Sequence, residues 1–239
     1  MKKKTYQQCD AVVAVSPSLK DLIIQEYQIP KQKIFVIPNA FSRADLNWKE
    51  KKQQSSIIHI GFVGLLTHWI GIHTLLEALP KLSFPVRVSI LGEGPYKREL
   101  EKMVEKLGIT DKVYFKGFVA RPELFETMDQ FDLGYSGHIP LSTDRYHSPM
   151  KLYEYLGRGV PVVASDDEDS KKLIGDNKHG FIFKRNDPIS LAETLKQAYQ
   201  CRDQWTQMGT QGRDLIAKSH LWEHRVQWIE KNILGDFLK

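Results

Sequence analysis

The sequence predicts an α/β fold built on a doubly wound parallel sheet, and three observations carry that prediction. Short apolar runs rich in β-branched residues alternate with amphipathic stretches along the whole chain, the pattern of repeated βαβ units. The stretch from residue 57 to about residue 219 holds enough of these units for a full sheet. With 239 residues, 41% hydrophobic and 26% charged, the chain has globular composition and can bury a sizeable core.

In chain order, strands are expected at 11–15, 34–37, 57–63, 86–91, 113–115, 133–135, 160–164 and 181–183. Helices are expected between them at 18–27, 72–78, 96–107, 122–127, 149–156, 170–174 and 190–200. The helix at 96–107 has a defined stop, with Lys106 in its last turn and Gly108 at the left-handed cap position. Residues 41–56 break the rhythm: they are polar, carry Lys49, Glu50, Lys51 and Lys52, and read as a linker. The boundaries follow as 1–45, too few units to close a core; 46–219, the Rossmann-like sheet domain; and 220–239, a final helix. In that helix Leu221, Val226, Ile229 and Ile233 recur at helical spacing with Trp222 and Trp228 beside them, so it needs a surface to cover.

The remaining bulk properties exclude several classes. No apolar run approaches the roughly 18 to 20 residues of a membrane span, and Met1 to Lys4 lead into polar sequence rather than a signal-peptide core. A soluble, cytoplasmic protein is expected. Cys9 and Cys201 stand far apart and outside any CxxC pattern, which predicts free thiols. The charge of +5, from 34 Lys and Arg against 29 Asp and Glu, suits a phosphorylated ligand or peripheral contact with an anionic membrane. Nucleic acid is disfavoured, because the basic residues are not interleaved with aromatics in one stripe. None of the eight histidines forms an HxxxH pair or a Cys/His cluster, so no metal site is expected. His68, His138 and His147 read as structural or solvent-exposed, and the acidic run 166–169 as a solvated turn with a helix cap.

In open α/β sheets ligands bind beyond the carboxyl ends of the strands, and three segments lie there. The first is 148–156. Ser148 followed by Pro149 reads as a helix N-cap and first helical position, which predicts a helix starting at Pro149. Its free N–H groups and dipole attract anions, and Lys151 adds a full positive charge, so diphosphate is the natural ligand. Glu154 follows about 4.5 Å along the same face, an offset that suits a ribose. The same spacing also fits an exposed Lys151–Glu154 ion pair of about 0.2–0.5 kcal/mol. The second segment, from Gly64 to Gly71, is either a ligand-approaching loop or a plain strand-to-helix turn, and it lacks the Lys and Ser/Thr of a Walker loop. In the third, the glycines of 92–95 and 117–119 either make room for a base or serve ordinary turns.

Together these stretches resemble the retaining glycosyltransferases of the GT-B fold, specifically family 4. Residues 10–16 and 34–39 look like the end of that family's first domain and its hinge. The likeness continues through 60–64, 91–95, 115–117, 148–156 and 159–165 in the family's order and spacing. The resemblance implies a nucleotide-diphosphate-sugar donor, retention of configuration, no bound metal and no other cofactor, and a role in polysaccharide or glycolipid biosynthesis with a carbohydrate or lipid-linked acceptor. It implies that Glu154 binds the donor ribose, that Met150 and Lys151 hold the diphosphate, and that the backbone at Phe118 and Val119 meets the base. Gly64, Leu65, Trp69, Gly92, Gly94, Ser148, Pro149 and Leu152 complete the implied donor site.

Two departures stand out against the family pattern. Leu65 and Ile70 occupy places where many members carry Arg and Lys, whereas Trp69 matches some relatives. Tyr146, eight residues before Glu154, stands where the first of the paired glutamates lies, so Lys151 carries more of the charge compensation, helped by Arg145. Against the length of the family only the last portion of the acceptor domain is expected, in residues 1–45. The chain is then expected to be a fragment, or one subunit of a split enzyme whose second chain supplies that domain, binding donor without efficient transfer. The alternative is a non-catalytic sugar-nucleotide-binding subunit. A GT-B epimerase or phosphorylase fits less well, since neither catalytic carboxylates nor a cofactor lysine can be placed.

Overall fold

The computed structural model describes residues 2–46, 55–140 and 148–235. Lys49 to Lys52, Arg145, Tyr146 and His147 lie outside them. The first elements are α1 (Lys2–Gln8), β1 (Val12–Ala14), α2 (Pro17–Tyr27) and β2 (Ile34–Val36). β1 and β2 pair in parallel, and Val12, Ala14, Ile23, Ile29 and Ile34 bury a small core of their own between them and α2. Ser16 caps α2 by accepting from Leu19 N–H at 3.2 Å.

The main sheet comprises β3 (Ile58–Val63), β4 (Val86–Leu91), β5 (Val113–Gly117), β6 (Leu133–Ser136), β7 (Val162–Ser165) and β8 (Gly180–Phe183). It is parallel throughout, in the order β5-β4-β3-β6-β7-β8. The order reverses direction between β3 and β6, which opens a crevice at their carboxyl ends. On one face α3 (Ile72–Ala78), α4 (Lys97–Lys106) and α8 (Pro188–Gln200) bury Ile60, Phe62, Val88, Ile90, Tyr135 and Phe183. On the other, α5 (Arg121–Met128), α6 (Met150–Gly157), α7 (Glu168–Ile174) and α9 (Trp205–Ser219) enclose Phe125, Phe131, Tyr155, Leu156, Val162 and Ile216. The expected doubly wound architecture is therefore the one observed.

Four expectations need correction. No helix was expected over 205–219, where α9 runs, and its two glycines, Gly209 and Gly212, oppose a helix by propensity. They are there for contact: a Cβ on Gly209 would lie 2.0 Å from Gly159 O, so a glycine is required where α9 meets the backbone just past α6, while a Cβ on Gly212 would lie 2.8 Å from Leu156 Cδ2, the movable end of an α6 side chain. α1 was also missed, its short polar sequence having no apolar period. Residues 41–46 are not linker-like, since Phe41 is buried and bridged in parallel to Leu221, its N–H donating to His220 O at 2.8 Å. The final helix, α10 (Trp222–Ile229), followed by a π-turn to Leu234, does not bury the stripe expected of it: Leu221 and Ile233 are buried, but Trp222, Val226 and Trp228 stay 40–51% exposed. Arg225 ties α10 down instead, donating to Pro38 O at 3.0 Å and Asn39 O at 3.3 Å.

α6 is fixed to the sheet by Tyr155, which is fully buried. Its hydroxyl accepts from Val63 N–H at 2.9 Å and donates to Gly61 O at 3.2 Å, and its ring fills the place of a Cβ on Gly134, 2.4 Å from ring carbon. Tyr155→Phe keeps the ring but strips the Val63 amide of its acceptor, and is expected to lower unfolding free energy by about 1–3 kcal/mol in urea titrations. Gly209→Ala should lower it too, by about 1–3 kcal/mol, although alanine is the better helix former, because the new methyl meets a backbone carbonyl. A midpoint unchanged or raised in Gly209→Ala contradicts the α6–α9 packing described above.

Candidate functional site

Tyr155 sets where the first turn of α6 falls, and that turn opens at the crevice between β3 and β6. The helix starts at Met150, one residue later than expected, with Pro149 at the cap position. Ser148 does not cap it. Its hydroxyl accepts from Asn39 N–H at 3.2 Å, and its carbonyl accepts from Asn39 Nδ2 at 2.7 Å, so Asn39 takes the contacts that a cap would have used. The first N–H groups of α6 thus keep no side-chain acceptor from Ser148 or Pro149.

Lys151, half-buried in that first turn, reaches the carboxyl end of β3. Its Nζ lies 4.3 Å from the centroid of the Phe62 ring, and a Cβ on Gly64 would sit 3.4 Å from it. Burial lowers the Lys151 pKa to about 8, opposed by the Glu154 carboxylate. The ring face offsets part of that cost, since a cation over an aromatic face gains about 0.5–2 kcal/mol. Glu154 is also half-buried, and burial holds its carboxyl above the usual range against the pull of Arg121 and Lys151, while Asp45 adds to the rise. Arg121 is itself held by Asp45 at 2.6 Å. Underneath, the Arg158 guanidinium joins Asp129 at 2.8 Å and the Asp45 carbonyl at 2.6 Å, fastening the Arg43–Leu46 turn to α5 and α6.

Beside this turn a cavity of about 340 Å³ opens at the ends of β3, β4 and β5, with walls from Val63, Leu65, Leu91, Phe118, Val119 and Leu124. Gly64 and Gly92 form its floor with Glu93 at the edge. The floor is narrow because the backbones touch: Gly64 N–H donates to Leu91 O at 3.0 Å, and a Cβ on Gly92, whose φ is +138°, would lie 1.9 Å from Gly64 O. An apolar slot of this size accepts a flat ring, with the glycine backbone supplying close approach.

The structure therefore brings Gly64, Leu65, Gly92, Phe118 and Val119 to one cavity and sets Lys151 and Glu154 on the helix next to it. Met150 is exposed at the helix start. Other expected site residues have different work. Leu152 is fully buried beneath α6 and cannot present its side chain. Gly94 yields room to the Leu66 backbone, whose carbonyl would be 2.2 Å from a Cβ there. Trp69, half exposed, accepts from Ile139 N–H at its carbonyl, outside the cavity wall. Glu93, Leu124, Arg121 and Asp45 were not anticipated; the last two meet across 76 positions, which no local pattern reveals. Asp167 does cap α7, accepting from Ser170 N–H at 2.8 Å. Among the described residues no cluster of three or more His, Cys, Asp or Glu could hold a metal, and no helix is long and apolar enough to cross a membrane.

Comparison with known proteins places this geometry. Residues 42–215 match the family model of glycosyl transferases group 1, and residues 1–44 match that of glycosyltransferase family 4. An uncharacterised glycosyltransferase of Methanocaldococcus jannaschii is 29% identical over 203 residues, which cover 79% of this chain and 50% of that protein. An Escherichia coli glycosyltransferase named for colanic acid biosynthesis is 27% identical over 176 residues, covering 72% of this chain and 43% of its own length. The chain thus spans about half the length of the curated relatives it matches. Among solved structures, HepE of Anabaena in complex with UDP and glucose superimposes with a TM-score of 0.80 at 20% identity, over 97% of this chain and 65% of that one. The parallel six-stranded sheet is that of GT-B glycosyltransferases, and on the match over most of its length the chain belongs to the family of glycosyl transferases group 1.

Proposed function

We propose that this chain is the donor-binding portion of a glycosyltransferase that takes a nucleotide-diphosphate sugar. The observation that carries the reading is the juxtaposition at α6: uncapped amides and the Lys151 ammonium beside an apolar slot, with a half-buried carboxylate one turn further on. The base would lie between Phe118, Val119 and Leu65, the ribose hydroxyls on Glu154, and the diphosphate on the α6 amides and Lys151. As the sugar–phosphate bond breaks, negative charge grows on the departing diphosphate, where fixed donors stabilise it. The UDP and glucose bound by HepE support a donor of this class. Retention of configuration, metal independence and a carbohydrate or lipid-linked acceptor belong to the same reading and rest on family resemblance; cytoplasmic placement rests on composition.

The cation inventory decides how the site works. Leu65, 61% exposed, and Ile70, buried, replace the basic residues of many relatives, so among these positions Lys151 supplies the charge. The alternative of a binding subunit without turnover draws on this same substitution. It is separated by assaying sugar transfer to the acceptor, whereas nucleotide titration tests the site itself.

In calorimetric titrations with UDP-, GDP- and ADP-sugars, Glu154→Ala should weaken the preferred donor by about 1.5–3 kcal/mol, roughly ten- to hundredfold. Unchanged affinity in a folded variant removes the ribose assignment. Affinity should also depend on pH with a set sign. Lys151 titrates at about 8 in the free protein, and a bound diphosphate raises that value, so binding is full below pH 8 and weakens as pH climbs through it. Using an intact nucleotide sugar keeps secondary phosphate ionisation out of the window, and Lys151→Met should flatten this alkaline limb. A limb that persists in that variant assigns the titration elsewhere.

A further inference from the structure

The two faces of the main sheet differ at its β5 end. On the α3–α4 face the β3–β4–β5 residues Ile58, Ile60, Val88, Ile90 and Val113 are all apolar and buried. On the opposite face the same strands present His59, Arg87, Ser89, Tyr114 and Lys116, and there α5 stands off, leaving a cavity of about 470 Å³. His59 and Ser89 are each 5% exposed, so the floor is buried rather than a solvated edge. Burying polar side chains where Val or Leu would pack is unfavourable unless each is paired. The floor pairs within itself: His59 Nε2 meets Ser89 Oγ at 2.9 Å, and Nδ1 lies 3.1 Å from both Gln130 O, to which it donates when protonated, and Arg87 Nη2, from which it accepts when not.

We propose that this cleft, between α5 and the β4–β5 strands, is a saccharide-binding site separate from the donor cleft. Three features select that class of ligand. The rim mixes donors, Arg87 and Lys116, with an acceptor, Glu123, and with Gln130, which is both. Hydroxyl groups, which donate and accept at once, match such a mixed lining, whereas a phosphate dianion would face the Glu123 carboxylate. The Tyr114 ring, 45% exposed with its hydroxyl tied to Asp111 O, offers an apolar face at the mouth for the C–H side of a sugar ring. The volume accommodates one or two sugar units. Val119 lines both this cleft and the donor cavity, so a glycan held here lies next to the proposed donor, on the far side of α5. The inference does not depend on the donor reading, since no residue argued to hold nucleotide supplies its polar contacts.

The test is an amide-resolved NMR titration of the ¹⁵N-labelled chain with maltotriose, mannotriose and chitotriose, and in parallel with inorganic phosphate. Saturable shifts confined to β4, β5 and α5 with at least one trisaccharide are expected, weakened roughly tenfold or more in both Tyr114→Ala and Lys116→Ala. Both substitutions are at exposed positions; unshifted amides in the rest of the chain report an intact fold, and nucleotide affinity measured on the same samples reports the donor site separately. The proposal is overturned if no trisaccharide shifts these amides, if only phosphate does, or if the shifts survive both substitutions. Lost nucleotide binding with sugar shifts intact would count against the donor assignment alone.

Discussion

A single phenol hydroxyl inside the sheet governs the geometry of this molecule. Tyr155 bridges the Val63 amide and the Gly61 carbonyl from a helix ninety-odd residues away in sequence, and its ring occupies space that Gly134 leaves open. Since α6 has one fixed rotation and one fixed height on β3, its first turn arrives at the Phe62–Gly64 strand end with Lys151 pointing there. An apolar side chain at 155 could fill the same volume but could not set the register, because only the hydroxyl contacts are directional. Arg158 and Asp129 hold the far end of the helix in the same manner, and the Asp45 carbonyl makes the Arg43–Leu46 turn part of that arrangement.

What the sequence made legible follows from how local each determinant is. The sheet strands, built on continuous apolar runs, stand within a residue or two of expectation, and so do α3, α4, α5 and α8, whose signals lie within one turn of the chain. The start of α6 was misplaced by one residue because Ser148 carries every local mark of a cap, while the partner that claims it, Asn39, is 109 positions away. The glycines of 92–94 could be read two ways. Only the approach of Gly64 and Leu66 shows that they make room for backbone, with Gly92 serving the cavity floor as a result. α9 was hidden for a deeper reason: Gly209, which opposes a helix by propensity, is the residue that lets this helix pack, because tight helix packing outweighs about 1 kcal/mol of propensity.

The candidate site shows the same division. Its helix-borne parts, Lys151 and Glu154, were legible from spacing, but their electrostatic state was not. Both are half-buried, and burial pushes the two groups toward neutrality, the ammonium from above and the carboxyl from below. Arg121, fixed by Asp45, opposes that for the carboxylate, and Phe62 opposes it for the ammonium. The charge state of the site is therefore supported by residues from β3, α5 and the Arg43–Leu46 turn.

On the proposed donor reading, that dependence bears on how a single lysine would hold an anion at α6. An exposed ammonium is screened and contributes little to holding an anion, whereas a half-buried one interacts through a lower effective dielectric and so more strongly with a ligand that also leaves water. The cost is borne in the empty state, as the lowered Lys151 pKa records. On the proposed donor reading, the charge at this site is then supplied from α6 and its strength is set by burial against β3.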